Sequence, residues 1–188
     1  MAIKMSDSKS FAMEPMLKNR WLFMFTAVPG STDDQTEALG FVAKSCNAPD
    51  VTFGDVKVER MNETYNFAGK PTWGQITCDF YDFIRNANNS GSELSAGDIL
   101  NNWSNVIYNP FTGQMGYKTQ YATSAVLAQL DPAGNIVRAW NLYGIFPTSI
   151  KYGDGFDTSS SEPSTVNAVF KYDLAVKIAD AKTQTESA

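Results

Sequence analysis

Seven apolar residues occupy every second position near the carboxyl end of the sequence, without a break. They are Val166, Ala168, Phe170, Tyr172, Leu174, Val176 and Ile178. A strict period of two predicts one long β-strand that buries these side chains and turns the intervening ones outward. We therefore expect Phe170 and Leu174 to point into the core, and the intervening Lys171 and Asp173 to point away from it.

Six other segments are predicted to be strands because they alternate or are rich in β-branched and aromatic residues. They are Arg20–Val28, Gly40–Cys46, Val51–Arg60, Gln75–Tyr81, Tyr121–Leu130 and Ile136–Tyr143. The last two are joined by Asp131–Asn135, where Pro132 and Gly134 favour a turn, so Tyr121–Tyr143 is predicted to be a β-hairpin. One helix is predicted after Ser95, because apolar residues then recur at helical spacing. The chain is thus predicted to be mainly β and antiparallel.

The 188 residues contain no internal repeat and no linker, so residues 1–188 are predicted to form a single domain. Residues 1–18 and 179–188 have little apolar content and are predicted to be extended tails. The apolar runs are too short to span a bilayer, so no membrane segment is expected.

Two segments are predicted to be loops. Met61–Thr72 joins two predicted strands and is long for a hairpin turn, where two to five residues are usual. It contains Tyr65 and Phe67, and exposed aromatic residues in a loop indicate a partner surface. The second loop, Gly153–Pro163, is rich in glycine, serine and acidic residues.

The sequence contains no histidine, which excludes Ser-His-Asp triads, Cys-His dyads and His-ligated metals. A net charge of −5 argues against tight binding to nucleic acid, which needs clustered Lys and Arg. Cys46 and Cys78 lie far apart in apolar runs and are interpreted as packing residues, although an isolated disulfide stays open. We expect no enzymatic activity, no cofactor and no metal.

Three acidic residues in the Gly153–Pro163 loop, Asp154, Asp157 and Glu162, superficially resemble a calcium loop but lack the EF-hand order, so a solvated turn is favoured. Asp79 and Asp82 would lie on opposite strand faces and are favoured as ordinary strand-end charges rather than an acid/base pair.

The segment Gly69–Trp73 places a lysine and a threonine near a glycine. It lacks the first glycine and the spacing of a phosphate-binding loop, and Pro71 removes a backbone N–H that such a loop would need. No segment of the sequence has the pattern of an active site.

The order of several segments resembles the tail tube protein of contractile-tailed bacteriophages, a family related in fold to the tube subunit of type VI secretion systems. Val56–Lys70, with its Asn66-Phe-Ala-Gly69 run, is similar to the projecting hairpin of this family. The most specific match is Leu142–Ile150, which contains Gly144-Ile-Phe-Pro-Thr148 before a final alternating strand. Asn86–Thr119 is longer than in a minimal member of the family.

The resemblance implies an antiparallel β-sandwich or small barrel with one flanking α-helix and a projecting hairpin loop. It also implies a structural virion protein whose hexameric rings stack into the inner tail tube, through which DNA passes into the host during genome ejection. Its partners would be further copies of itself, the tail sheath, tape-measure, baseplate and terminator proteins, with only passive DNA contact. It would reside in the virion tail, and in the host cytoplasm during assembly.

Residues of the predicted hairpin are expected to form the interface between subunits or rings. They are Arg60, Met61, Asn62, Glu63, Tyr65, Asn66, Phe67, Lys70 and Trp73. Two alternatives stay open: a secretion tube subunit of the type VI kind, and a stand-alone carbohydrate-binding β-sandwich, which exposed aromatic residues would permit.

Overall fold

The computed structural model describes residues 15–83, 95–153, 155 and 157–178. The helices are α1 (Asp33–Phe41), α2 (Ala96–Ile107) and α3 (Lys118–Tyr121). The strands are β1 (Trp21–Phe25), β2 (Ala43–Cys46), β3 (Val51–Arg60), β4 (Glu63–Trp73), β5 (Gln75–Tyr81), β6 (Tyr108–Asn109), β7 (Gln114–Met115), β8 (Thr123–Leu130), β9 (Ile136–Tyr152), β10 (Thr165–Lys171) and β11 (Leu174–Ile178).

Seven strands form an antiparallel sheet in the order β1-β8-β9-β10-β5-β2, and β11 also pairs with β9. The 17-residue strand β9 serves two layers, because its first part pairs with β8 and β11 while its second part pairs with β10. Gly144 lies between the two parts with a φ of 67°, where a side chain would collide with the Asp173 carboxylate. The fold is thus the predicted antiparallel β-sandwich with a flanking helix.

The core lies between the two layers and is centred on Phe170, which is fully buried. The Phe170 ring makes edge-to-face contacts with Phe23 and Phe80, both at 6.3 Å between centroids. Helix α2 closes one side of the core with Trp103, whose Nε1 donates a hydrogen bond to the Tyr121 carbonyl at 2.7 Å. Burial of such large aromatic groups is the main source of stability in a core of this kind.

The carboxyl-terminal strand is broken, contrary to the prediction of one unbroken strand. β10 ends at Lys171 and β11 begins at Leu174, and the two strands lie along different parts of β9. Phe170 is buried while Lys171 and Asp173 are exposed, as predicted, but Leu174 is 43% exposed, so its predicted burial is wrong. Once the chain changes layer at Tyr172 and Asp173, continued alternation no longer keeps the same side chains facing the core.

Helix α1 was not expected from apolar periodicity. Its amino terminus is fixed by a capping box. Thr32 Oγ1 accepts a hydrogen bond from the backbone N–H of Gln35, and Gln35 Oε1 accepts one from the backbone N–H of Thr32. The predicted strand Gly40–Cys46 is correspondingly shortened to β2, because α1 extends to Phe41. The sequence did carry the signal, since Thr32 and Gln35 have capping-box spacing.

The predicted hairpin at Tyr121–Tyr143 is confirmed by the pairing of β8 with β9. Its turn is held by the Asp131 carboxylate, which accepts from the amides of Ala133 and Asn135, each at 2.8 Å. The described part of Asn86–Thr119 contains α2, the short β6–β7 hairpin and the start of α3. Asn86–Leu94, most of the amino-terminal tail and the tail at 179–188 lie outside the described residues. No helix in the described ranges is long and apolar enough to cross a bilayer.

Candidate functional site

β3 and β4 form a two-stranded sheet of their own, here called the hairpin. The pairing runs from Val51 opposite Trp73 to Arg60 opposite Glu63, which leaves only Met61 and Asn62 as the turn. The prediction of a long loop at Met61–Thr72 is therefore wrong, because most of that segment belongs to β4. Ten or eleven residues at about 3.3 Å each give a ribbon about 30 Å long.

The two faces of the hairpin differ in chemistry. Residues opposite each other across an antiparallel pair lie on the same face, and the face alternates at each step. Val56 pairs with Phe67 and Val58 pairs with Tyr65, so these four side chains share one face, here called the apolar face. All four are about half exposed, and Phe67 reaches 57%. The apolar face is thus bare in the single chain.

The opposite face of the hairpin is polar. Lys57 pairs with Asn66 and Glu59 pairs with Thr64, and the Lys57 ammonium lies 3.8 Å from the Asp55 carboxylate. Charged groups on this face suit contact with water, and they contribute little net stability when exposed. The ribbon is therefore amphipathic, with only one face that would gain from burial.

The tip of the hairpin presents Met61, which is 97% exposed and has a φ of 54°. Two-residue hairpin turns need a positive φ at a central position, where glycine or asparagine is usual. Beside the tip, the Tyr65 hydroxyl donates to Glu63 Oε2 at 2.6 Å, and this hydrogen bond raises the pKa of the Tyr65 phenol. The tip thus combines the exposed thioether of Met61 with the phenol of Tyr65, whose orientation is fixed by its hydrogen bond to Glu63.

A bulge bends the hairpin between its base and its outer half. The register shifts between Phe53 and Asp55, and a Cβ on Gly69 would lie 3.1 Å from the Gly54 backbone. Glycine at position 69 therefore allows the two strands to approach closely. Pro71 sits opposite Phe53 in β4, which is tolerated because a two-stranded sheet has only edge strands.

The base of the hairpin is anchored by Tyr172. Its hydroxyl donates to the Asp50 carbonyl at 3.0 Å and accepts from the Asp50 amide at 3.1 Å. The Tyr172 ring also packs near the Trp73 ring, with centroids 6.0 Å apart. Tyr172 is 5% exposed, and its burial raises the pKa of its phenol. Tyr172, which belongs to the body of the fold, thus contacts both ends of the hairpin base: Asp50 just before β3 and Trp73 at the end of β4.

The hairpin brings together most of the residues predicted as an interface. Tyr65 and Phe67 share the apolar face, whereas Asn66 lies on the polar face. Arg60, Met61, Asn62 and Glu63 form the tip, Lys70 is exposed near the bulge, and Trp73 lies at the base.

Sequence reasoning missed Val56 and Val58 as members of this surface, and it missed Tyr172 as the anchor. The signal for the two valines was present, since the alternation of Val56, Lys57, Val58 and Glu59 on one side of the turn matches that of Tyr65, Asn66 and Phe67 on the other. The contact between Tyr172 and Asp50 spans 122 residues and has no local signature.

Asp79 and Asp82, which were considered as a catalytic pair, have different hydrogen-bond partners. Asp79 accepts from Asn167 Nδ2 and Ser45 Oγ, both at 2.6 Å, and these hydrogen bonds lower the pKa of its carboxyl. Asp82 instead accepts from the Gly97 amide at the start of α2. Asp154 lies outside the described residues. Within the described part of the chain, no group of three or more His, Cys, Asp or Glu could hold a metal.

No protein-family model matches the chain, and no curated protein matches it in sequence. Solved structures with the same fold do exist. A chain of the anti-feeding prophage cap, described as the tube terminating cap, superposes with a TM-score of 0.64 at 16% identity over 89% of this chain and 93% of that one. A chain of an extracellular contractile injection system, the PVC sheath–tube complex in its extended state, gives 0.62 at 16% identity over 93% and 99%.

These comparisons establish a shared fold across most of the chain. A chain of the anti-feeding prophage baseplate also matches, with a TM-score of 0.60 at 14% identity over 89% of this chain and 97% of that one. The fold is therefore one found in components of contractile injection particles. At this level of identity the similarity describes architecture and does not transfer residue roles.

Proposed function

We propose that this chain is a structural subunit of a contractile particle, and that its rings stack into a hollow tube. The proposed ring is a hexamer, as the resemblance to the tail tube family implies. The proposal gives the chain no catalytic role, in keeping with a sequence that contains no histidine. The shared fold with tube and cap assemblies supports the proposal.

The observation that carries this proposal is the bare apolar face of the hairpin. Val56, Val58, Tyr65 and Phe67 lie side by side on a ribbon that projects from the sandwich, and all are about half exposed. Contiguous apolar surface of this kind on a monomer marks a contact with another protein. We propose that the contact is made with a neighbouring copy of the chain, so that assembly buries this face.

The test compares two adjacent residue pairs on opposite faces of the hairpin. A Val56→Thr/Phe67→Thr variant removes the central pair of the apolar face, and threonine keeps the strand propensity. A Lys57→Thr/Asn66→Thr variant changes the next pair, which lies on the polar face, and serves as the matched control. Each protein is concentrated and examined by sedimentation velocity and negative-stain electron microscopy.

We expect both variants to keep the circular-dichroism spectrum and melting behaviour of the wild type, because neither pair belongs to the core. The control variant should form rings and tubes like the wild type, whereas the apolar-face variant should stay monomeric. Tubes formed normally by Val56→Thr/Phe67→Thr would show that the apolar face is not an assembly contact. Rings of another symmetry would overturn the hexamer but not the tube.

The finer function has two candidates. A phage tail tube would conduct DNA and would occur with sheath, tape-measure, baseplate and terminator proteins in a virion. The tube of an injection particle is favoured by the matched structures, which come from such systems. Particles purified from the native source separate the two, since nuclease-protected DNA is expected only in virions. In both cases the proposed partners are components of the same particle.

A further inference from the structure

Cys46 and Cys78, the two cysteines of the sequence, meet in the folded chain although 32 positions separate them. Cys46 is the last residue of β2, and Cys78 lies in the middle of β5. The register places them directly opposite each other in the antiparallel pair. Cys78 Sγ donates to Cys46 Sγ at a distance of 2.7 Å, and both residues are free thiols.

The backbone at this position suits a covalent link. Residues directly opposite in antiparallel strands have Cα atoms about 4.5–5.5 Å apart, and a disulfide spans Cα atoms about 4.4–6.8 Å apart. Two cysteines whose Cβ atoms point apart cannot be bridged without movement of the backbone. Here the two side chains lie on the same face and already touch.

We propose that Cys46 and Cys78 are a thiol–disulfide modification site that locks the edge strand β2 onto β5. This inference does not depend on the proposed tube function. It assigns a chemical role to two residues that sequence reasoning interpreted as packing residues. The oxidant that forms the bond is a low-molecular-weight disulfide, and the reaction needs no other oxidant.

The two sulfur atoms differ in access, and this sets the order of the reaction. Cys46 is partly exposed at the edge of the sheet, whereas Cys78 is fully buried. Burial, the contact with Cys46 and the nearby Asp79 charge raise the pKa of the Cys78 thiol. An external reagent therefore meets Cys46 first, because reaction needs both access and a thiolate.

The steps balance as a thiol–disulfide exchange. The Cys46 thiolate attacks one sulfur of the external disulfide, which breaks its S–S bond and releases one thiolate. Cys78 then gives up its proton to water and attacks Cys46 Sγ, which forms the protein disulfide and releases the second thiolate. Two protein thiols are oxidised and one external disulfide is reduced to two thiols.

The link would stiffen the point from which the hairpin leaves the body. β2 is a four-residue edge strand with a register shift between Ala43 and Ser45, so its backbone pairing is weak. Cys46 precedes the start of the hairpin at Val51 by only a few residues. A disulfide between residues 32 positions apart removes freedom from the unfolded chain, and we expect it to raise the melting temperature by about 7–15 °C for a domain of this size.

The experiment treats the folded full-length protein with oxidised glutathione and follows intact mass and free thiols. The wild type should lose both thiols and gain no glutathione, because Cys78 displaces it. Cys78→Ser should instead retain one glutathione on Cys46. Cys46→Ser should stay unmodified, because its one remaining thiol, that of Cys78, is buried. A peptide map under non-reducing conditions should join the Cys46 and Cys78 peptides within one chain.

Three results would overturn the proposal. The first is a glutathione adduct that persists on the folded wild type. The second is a wild type whose two thiols stay reduced in the folded state, while the same chain oxidises in denaturant. The third is an oxidised wild type that melts at the same temperature as the reduced protein, which would show that the link does not secure β2.

Discussion

Replacement of Tyr172 by phenylalanine tests whether one hydroxyl anchors the hairpin. The change keeps the ring beside Trp73 and removes both hydrogen bonds to the Asp50 backbone. The Asp50 carbonyl keeps another donor, the Gly74 amide at 3.1 Å, so the larger loss falls on the Asp50 amide. A fully buried amide without a partner costs about 1–3 kcal/mol.

The expected magnitude lies at the lower end of that range. Asp50 is exposed as a residue, so water can reach the freed groups, and we expect the free energy of unfolding of Tyr172→Phe to fall by about 1 kcal/mol. This corresponds to a decrease of about 2–4 °C in melting temperature for a chain of this size. The local effect should be larger, because the hairpin has few other contacts with the body.

Hydrogen exchange followed by mass spectrometry separates the local effect from the global one. Peptides from β3 and β4 should exchange faster in Tyr172→Phe than in the wild type, while peptides from β8 and β9 should be unchanged. A Tyr108→Phe variant serves as the control, because the Tyr108 side chain is exposed and belongs to the separate β6–β7 sheet. Equal exchange in the hairpin of the wild type and Tyr172→Phe would refute the anchoring role.

Three further changes give distinct outcomes. Phe170→Ala should lower the free energy of unfolding by about 3–5 kcal/mol in chemical denaturation, because it empties the centre of the core. Asp79→Asn should be less stable than the wild type at neutral pH, and the difference should shrink as pH falls below about 4, since the folded carboxyl has a lowered pKa and its stabilisation is lost on protonation. Met61→Gly should remove the strain of a positive φ and raise the free energy of local opening of the hairpin by up to about 1 kcal/mol, which hydrogen exchange would report as slower exchange. The same change should weaken assembly, because it removes the side chain at the tip.

Local patterns were enough to predict the β-rich fold, the hairpin of β8 and β9, and the capped helix α2. They failed where a change in the structure leaves no sign in the neighbouring sequence. The alternation from Val166 to Ile178 continues through the break at Tyr172, so the pattern contains no sign that β11 faces different surroundings. Helix α1 was missed for the opposite reason, because a capping box marks it while its apolar periodicity is weak.

The sequence indicated which segment forms the candidate site, but it predicted a loop where the structure has a two-stranded hairpin. Aromatic residues in a polar segment are conspicuous, so the sequence predicts a surface role for Tyr65 and Phe67, but it also predicts a loop where the structure has a strand. Glycine and proline at positions 69 and 71 caused this error, since both usually mark turns. In β4, Gly69 instead lies at a bulge and Pro71 pairs with Phe53 in an edge strand, which only the pairing with β3 reveals.

The two edges of the hairpin and its two faces favour different kinds of contact. Among the described residues, both strands have an unpaired edge, and such edges invite indiscriminate strand pairing. Lysine and proline side chains and a bulge oppose that pairing, and the hairpin contains Lys57, Lys70, Pro71 and the bulge at Gly54. The apolar face has no such protection, so association through the face stays favourable while association through the edges does not. A ribbon built in this way favours a partner of matching shape and apolar surface, which is what the proposed stacking of subunits would require.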